Sequence, residues 1–319
     1  MKRIALWGML LLPLAGICRQ QDTKDSTAGM FDLEPGLVMT FLSKDSVDKK
    51  EVLRDIEVLN ILLRKDIGEA EMIRQLQVID RVKDSVAFYN FVTTKPAALY
   101  REKRIMMQQF VEAHPDSYVS LYELDYNHGM YSADSYAVAY GKLSNRLKNT
   151  QAAKKIRDRI AYLKQIALTG MQAPDFTRKN QYRKTVRLSD YKGKLVILDF
   201  WGSWCGACRQ SHPHLKELYA AYKDKGLEIV AVANENVHGD KTPLDKATSN
   251  WLGAIKKDGV DWVHVLNDEG SGGIDIVKAF RVTSYPTKFL LDKDGKVLLR
   301  IEDGLNVEID QLVKSMLEK

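Results

Sequence analysis

The sequence predicts an α/β layer sandwich over its C-terminal half, preceded by a mostly α-helical region. Three observations carry this prediction. The helical period ends at Thr169-Gly170, where strands begin with APDF. The apolar run LVILDFW, from Leu195 to Trp201, has no polar alternation and therefore reads as a strand covered on both faces. Beyond it strand and helix alternate until a hairpin ends the sheet, an order that builds layers of helix on sheet.

Composition limits the alternatives. At 319 residues the chain is long enough for roughly two domains of about 150 residues. With 45% hydrophobic and 28% charged residues it has a globular balance, which excludes disorder along its whole length. The 48 basic and 42 acidic residues leave +6, a surplus too small to argue for nucleic acid as a partner. Two of the three cysteines, Cys205 and Cys208, share one short motif, so a disulfide-stapled scaffold is excluded and the cysteines point to chemistry.

The chain starts MKRIALWGMLLLPLAGICRQQD: two cations, an apolar run from Ile4 to Ile17, then polar residues. This is the pattern of a secretory signal peptide over 1–18. The run is about 14 residues where a spanning helix needs roughly 20, so a permanent transmembrane anchor is disfavoured. Cys18 leaves two readings open. Retained and acylated, it makes a lipoprotein, although Ile17 stands where a small residue normally precedes the lipidated cysteine; otherwise the mature protein is exported and soluble. Either way the expected location is the periplasm or cell envelope, with contact to a membrane only if Cys18 is lipidated.

Residues 19–45, with Gly29, Pro35 and Gly36 as breakers, read as a polar tether. A helical region over 46–168 follows. Val52, Ile56, Leu59 and Leu63 repeat at threes and fours, as do Ile73, Leu76, Ile79, Val82 and Val86, giving two amphipathic helices separated at Gly68. Lys95-Pro96 closes the second and opens a third over 97–113. After the stop at His114-Pro115, Asp116 or Ser117 can cap a short helix reaching Asn127. Two more helices are expected over 133–147 and 151–168, the last with Ile156, Ile160, Leu163 and Ile166 on its apolar face.

The C-terminal domain, 169–319, begins with strands at 175–178 and 185–188, then the buried strand 195–201. A helix over 207–222, the strand LEIVAVA, a helix around 251–257, the short strand WVHVL and a helix around 274–280 follow in turn. TKFLLDKDGKVLLRI makes two strands about an Asp294-Gly295 turn, and a helix over 307–317 closes the chain.

WCGAC directly follows the buried strand and opens a helix. Cys205 therefore sits at a helix N-terminus, where free N–H groups and the macrodipole favour the thiolate. Thiols so placed have pKa values lowered from roughly 8.5 to about 3.5–7.5. Cys208, one turn on, is expected to be more buried and less ionised. The first cysteine attacks a substrate disulfide and the second resolves the mixed disulfide.

DFWGSWCGACR, followed by Pro213 and later by YPT, resembles the TlpA/ResA-like, AhpC/TSA-related branch of thioredoxin-fold proteins. GMQAPDF and LSDYKGK strengthen the resemblance, which covers 170–319 and implies a three-layer sandwich with a mixed sheet. FVEAHPDSYVSLYEL resembles the region preceding such domains in Bacteroidetes-type envelope proteins; those relatives often begin with a small β-domain where this sequence has helices, so nothing is carried over for 19–113. The resemblance implies that Cys205 is the nucleophile, Cys208 the resolving thiol and Trp204 a cover over the site. It also implies that Pro286 is a cis-proline presenting the Tyr285 backbone as an edge for an extended substrate segment. Asp199, six residues before Cys205, stands where thioredoxins keep an acid. A buried carboxyl there can exchange a proton with Cys208; the alternative is an aspartate that caps the strand end or pairs with a lysine.

The resemblance implies thiol–disulfide exchange with cysteine-containing envelope proteins, apocytochromes among them, with electrons from a membrane thiol–disulfide carrier. The direction expected is reduction, while the Gly206-Ala207 dipeptide between the cysteines leaves oxidant and isomerase open; no cofactor or metal is expected. His212 and His214 lie about 200° apart on a helix and cannot both face the cysteines. Trp251 and Trp262 read as core. Two other classes stay in view: a thiol peroxidase, whose lone cysteine normally follows a threonine where this chain has Ser203-Trp204, and a non-catalytic envelope binding protein using the fold as scaffold.

Overall fold

The computed structural model describes residues 32–64, 101–236, 242–268, 273–304 and 307–318. The leader with Cys18, the helix expected around Ile73–Val86 and the start of the third helix lie outside the described residues.

The helical region opens with α1 (Pro35–Phe41) and α2 (Lys49–Arg64). α1 lies inside the stretch expected to be a tether. Pro35 stands at the helix start, where its fixed φ and missing N–H cost nothing, and Leu33, Val38 and Leu42 are buried. The periodic residues Val52, Ile56, Leu59 and Leu63 of α2 are all buried, as the spacing predicts. Next come α3 (101–113), α4 (Tyr118–Tyr126), α5 (Ala133–Lys142), α6 (Asn145–Lys148) and α7 (Gln151–Ile166). Ser117, Ser132, Ser144 and Thr150 cap α4, α5, α6 and α7 by accepting backbone N–H bonds. The single helix expected over 133–147 is in fact two. Leu143 is extended, and the Ser144 N–H leaves the helical ladder to donate to the Pro115 carbonyl at 2.8 Å. One apolar core joins Val52, Phe110, Val119, Leu124, Tyr136 and Ile156 across these helices.

The C-terminal part carries β1 (Thr177–Lys179) paired antiparallel with β2 (Thr185–Arg187), then β3 (Leu195–Trp201). α8 (Gly206–Gln210), α9 (His212–Tyr222), β4 (Leu227–Ala233), α10 (Leu244–Asp258), β5 (Val263–Leu266), α11 (Ile276–Ala279), β6 (Thr287–Leu291), β7 (Val297–Ile301) and α12 (Val307–Leu317) complete it. The main sheet has the order β5-β4-β3-β6-β7, parallel through β3, β4 and β5 and antiparallel at β6 and β7. This is the mixed, thioredoxin-like sheet that the resemblance implies. Leu195, Ile197 and Trp201 of β3 face one core with α9, α10 and α12; Val196, Leu198 and Phe200 face a second with α11 and Phe280. Every residue of β3 and β4 is buried, which explains why neither alternates. Trp251 and Trp262 lie in the first of these cores.

Candidate active site

β3 ends at Trp201 in the middle of the sheet, and the chain turns through Gly202–Trp204 into α8. Cys205 is the N-cap of α8: its sulfur accepts the Cys208 N–H at 3.2 Å, and its own N–H donates to the Gly202 carbonyl at 3.0 Å. Cys205 and Cys208 are joined as a disulfide, with Cys205 5% and Cys208 0% exposed, the order of accessibility that an attacking and a resolving thiol require. The helix expected over 207–222 is interrupted at Ser211. Pro213, in the first turn of α9, has no N–H to return to the Arg209 carbonyl, so α8 and α9 meet at a break.

The Tyr285–Pro286 peptide is cis, and Pro286 lies beside the same helix, since a Cβ on Gly304 would meet Ala207 O at 3.1 Å and Pro286 Cγ at 3.6 Å. Trp204 is 42% exposed and stands edge-on to Tyr285, with ring centroids 5.4 Å apart. Asn234, at the end of β4, ties the two rings together. Its carbonyl accepts the Trp204 indole N–H at 2.9 Å, and its side-chain amide donates to the Tyr285 hydroxyl at 2.8 Å. Gly202 makes room for this arrangement, because a Cβ there would lie 2.5 Å from Trp204 Nε1. Glu235 supports the turn from below, accepting the Ser203 N–H at 2.8 Å and the Ser203 hydroxyl. Burial pushes the Glu235 carboxyl up from its ordinary range, against the lowering effect of Ser203 and Arg209.

Asp199 is fully buried and pairs with Lys288 at 3.1 Å, the lysine alternative raised by the sequence. Lys288 donates to the Ser211 hydroxyl at 3.3 Å, and Ser211 donates to the Cys208 carbonyl at 2.7 Å. The acid is thus linked through two side chains to the backbone of Cys208. The histidines diverge: His212 turns to Asp258 at 2.9 Å and His214 to Asp310 at 2.9 Å. Among the described residues no group of three or more His, Cys, Asp or Glu side chains could hold a metal ion.

The structure therefore brings Cys205, Cys208, Trp204, Tyr285 and Pro286 to one end of the sheet, with Asp199 beneath them. Sequence reasoning missed Lys288, Ser211, Asn234 and Glu235. Lys288 had a signal, a lone cation in the apolar strand TKFLL whose register places it opposite Asp199. The others act through loop geometry and carry no motif.

Fold and site together define a thioredoxin-fold protein with a disulfide-bonded cysteine pair at the start of a helix. The AhpC/TSA family matches residues 169–300. Thiol-disulfide oxidoreductase ResA of Bacillus thuringiensis subsp. konkukian is 37% identical over 133 residues, 42% of this chain and 69% of that protein. ResA of Bacillus subtilis is 36% identical over 129 residues, 40% of this chain and 64% of that protein. Among solved structures, the thioredoxin domain of a thiol-disulfide oxidoreductase from Bacteroides vulgatus aligns at 29% identity and TM-score 0.38, covering 46% of this chain and 97% of that one. The chain belongs to the AhpC/TSA family and, within it, is a ResA-like thiol–disulfide oxidoreductase.

Proposed function

We propose that this protein is an exported reductant that passes electrons from its Cys205/Cys208 dithiol to disulfides of cysteine-containing envelope proteins, apocytochromes among them. The observation that carries the reading is the cysteine pair at a helix start, Cys205 5% and Cys208 0% exposed, at the same end of the sheet as the cis Tyr285–Pro286 bond and the Trp204–Tyr285 pair. In this reading the Cys205 thiolate attacks one sulfur of the substrate disulfide and expels the other as thiolate. Cys208 gives up its proton toward Asp199 and attacks Cys205, releasing the second substrate thiolate and closing the disulfide; two electrons have moved to the substrate. A membrane thiol–disulfide carrier then restores the dithiol. Trp204 and Tyr285 cover the incoming segment, and the backbone beside Pro286 pairs with it as a strand edge.

The leader 1–18 delivers the chain to the periplasm, where Cys18, if retained and acylated, tethers it to a membrane. No helix among the described residues is long and apolar enough to cross a membrane. The helical region, with α1 packed into its core, and the thioredoxin-like region 169–319 form the two domains of the mature protein.

The test is the midpoint potential of the pair by glutathione or dithiothreitol titration, with Cys205→Ser as control. A value near about −270 mV supports the reductant; one near −120 mV, typical of strong disulfide-forming oxidants, replaces it with an oxidant. Absence of a reversible two-electron transition sinks the exchange mechanism itself.

A further inference from the structure

The segment joining β7 to α12 touches the redox helix on one side and the helical region on the other. On the redox side Gly304 is buried so tightly that an added Cβ would sit 3.1 Å from both Ala207 O and Ser211 Cβ and 3.6 Å from Pro286 Cγ. Its neighbour Asp303 forms an ion pair with Arg104 of α3, the two side chains 12% and 31% exposed. One residue earlier, the Glu302 carbonyl abuts Gly129, where a Cβ would approach it to 2.9 Å. A few residues later Glu308 caps α5, accepting the Ser132 N–H at 3.0 Å and the Ser132 and Ser135 hydroxyls at 2.7 and 2.8 Å. Asp310 pairs with Arg101 of α3 and, at 2.9 Å, with His214 of α9.

One continuous route of contact therefore runs from α3 to the helix of the cysteine pair, and a second reaches α9, the helix that follows it. One passes from Arg104 through Asp303 and Gly304 to Ala207 and Pro286, the other from Arg101 through Asp310 to His214. Both use partly buried ion pairs, which are screened less than surface pairs and hold their geometry. We infer that Arg104 is a positioning residue of the redox centre, supplied by the helical region. By holding Asp303 it seats Gly304 against the Cys-Gly-Ala-Cys turn, so docking of the helical region and the dithiol–disulfide equilibrium are coupled. The inference rests on the thiol–disulfide reading and adds to it a task for the helices.

The coupling has a sign. In this inference the seat of Gly304 on Ala207 and Ser211 favours the closed disulfide, the form in which it is seen, so loosening it moves the equilibrium toward the dithiol. A contact that held both forms equally would move nothing, which is what separates positioning from mere support.

Glutathione titration of the full chain reads this directly. Arg104→Gln is expected to weaken the disulfide relative to the dithiol about fivefold, a midpoint ~20 mV less negative for a two-electron couple. Lys142→Gln, which opens the exposed Lys142–Glu112 pair within the helical region, is expected to leave the equilibrium unchanged. The exchange Arg104→Asp with Asp303→Arg is expected to return it toward wild type. If Arg104→Gln folds with an unaltered circular dichroism spectrum and titrates with wild type, the inference is overturned while the oxidoreductase reading stands. If Arg104→Gln does not fold, Asp303→Asn, which opens the same ion pair from the other side, is titrated in its place, and absence of a shift overturns the inference equally. If the wild-type pair itself fails to titrate reversibly, the oxidoreductase reading falls first and the inference with it.

Discussion

Asp199 and Lys288 face each other across adjacent antiparallel strands, 3.1 Å apart and both shut off from solvent, directly beneath the cysteine pair. Removing one partner from a buried pair leaves an uncompensated charge, which costs about 3–5 kcal/mol, whereas replacing both by apolar groups is often nearly neutral. Lys288→Met is therefore expected to destabilise the oxidised protein by about 3 kcal/mol, and Asp199→Leu with Lys288→Met by markedly less, measured by urea unfolding. The kinetic consequence is separate. Asp199→Asn keeps the shape but cannot take up the Cys208 proton, so substrate disulfide reduction is expected to slow at neutral pH. An unchanged rate between pH 6 and 8 would remove Asp199 from the mechanism.

Asn234 controls both aromatic side chains at the site with two different groups. Its side chain can be removed without touching the carbonyl that holds Trp204. Asn234→Ala and Tyr285→Phe each break the same 2.8 Å bond, so each is expected to weaken binding of a disulfide-containing peptide by about 1 kcal/mol. The double variant is expected to lose little more than either single one. Additive losses in a peptide-reduction KM cycle would mean that the two residues act independently. Gly202→Ala is the harsher change, since its Cβ displaces the Trp204 ring, and a shift in tryptophan fluorescence is its expected signature.

In the helical region, burial pushes the Glu123 carboxyl up from its ordinary 4.5 to about 7, with the hydrogen bond from Asn127 opposing. The folded protein therefore holds a proton that the unfolded chain has released. The resulting stability is fully present below about pH 4.5, falls as pH rises, and is lost above about 7, a penalty on the order of 3 kcal/mol. Glu123→Gln keeps the oxygen that accepts from Asn127 and cannot ionise. It is expected to match wild type in urea unfolding at pH 4 and to exceed it at pH 8. Equal stability at both values would show that the carboxyl is hydrated in the folded state.

What was legible in the sequence follows from what sequence patterns encode. The strands β3 and β4, the burial of α2 and the cysteine pair at a helix start all rest on local period or local motif, and each stands where the pattern puts it. The features missed depend on tertiary partners. Ser144 leaves its helix because the Pro115 carbonyl is within reach, and α1 forms because Leu33, Val38 and Leu42 find a core. Asn234 matters through a backbone carbonyl, which no residue type announces. Lys288 was the readable exception, since a cation inside an apolar strand needs a partner and Asp199 was the acid on the neighbouring buried run.

Asp258 ends α10 and holds α8 and α9 together at their junction, through Arg209 of the first and His212 of the second. Arg209 forks onto it with bonds of 2.8 and 2.5 Å, and His212 donates from Nδ1 at 2.9 Å. Burial alone pushes the Asp258 carboxyl up, but the hydrogen bonds from Arg209 and His212 overcome it and hold the group well below the usual carboxylate range. The stabilisation is therefore present above the ordinary value of 3.8 and is lost as pH falls toward the lower folded value. Asp258→Asn removes the charge and leaves Arg209 and His212 facing a neutral amide. It is expected to cost about 3 kcal/mol in urea unfolding at pH 7, where the pair is intact, and progressively less as the pH is lowered below 4. Arg209 also reaches the Ser203 carbonyl, in the turn before Cys205, so the same variant is expected to change the rate at which Cys205 is alkylated in the reduced protein. A constant stability difference from pH 3 to 7 would show that charge at Asp258 has no part in holding the helix.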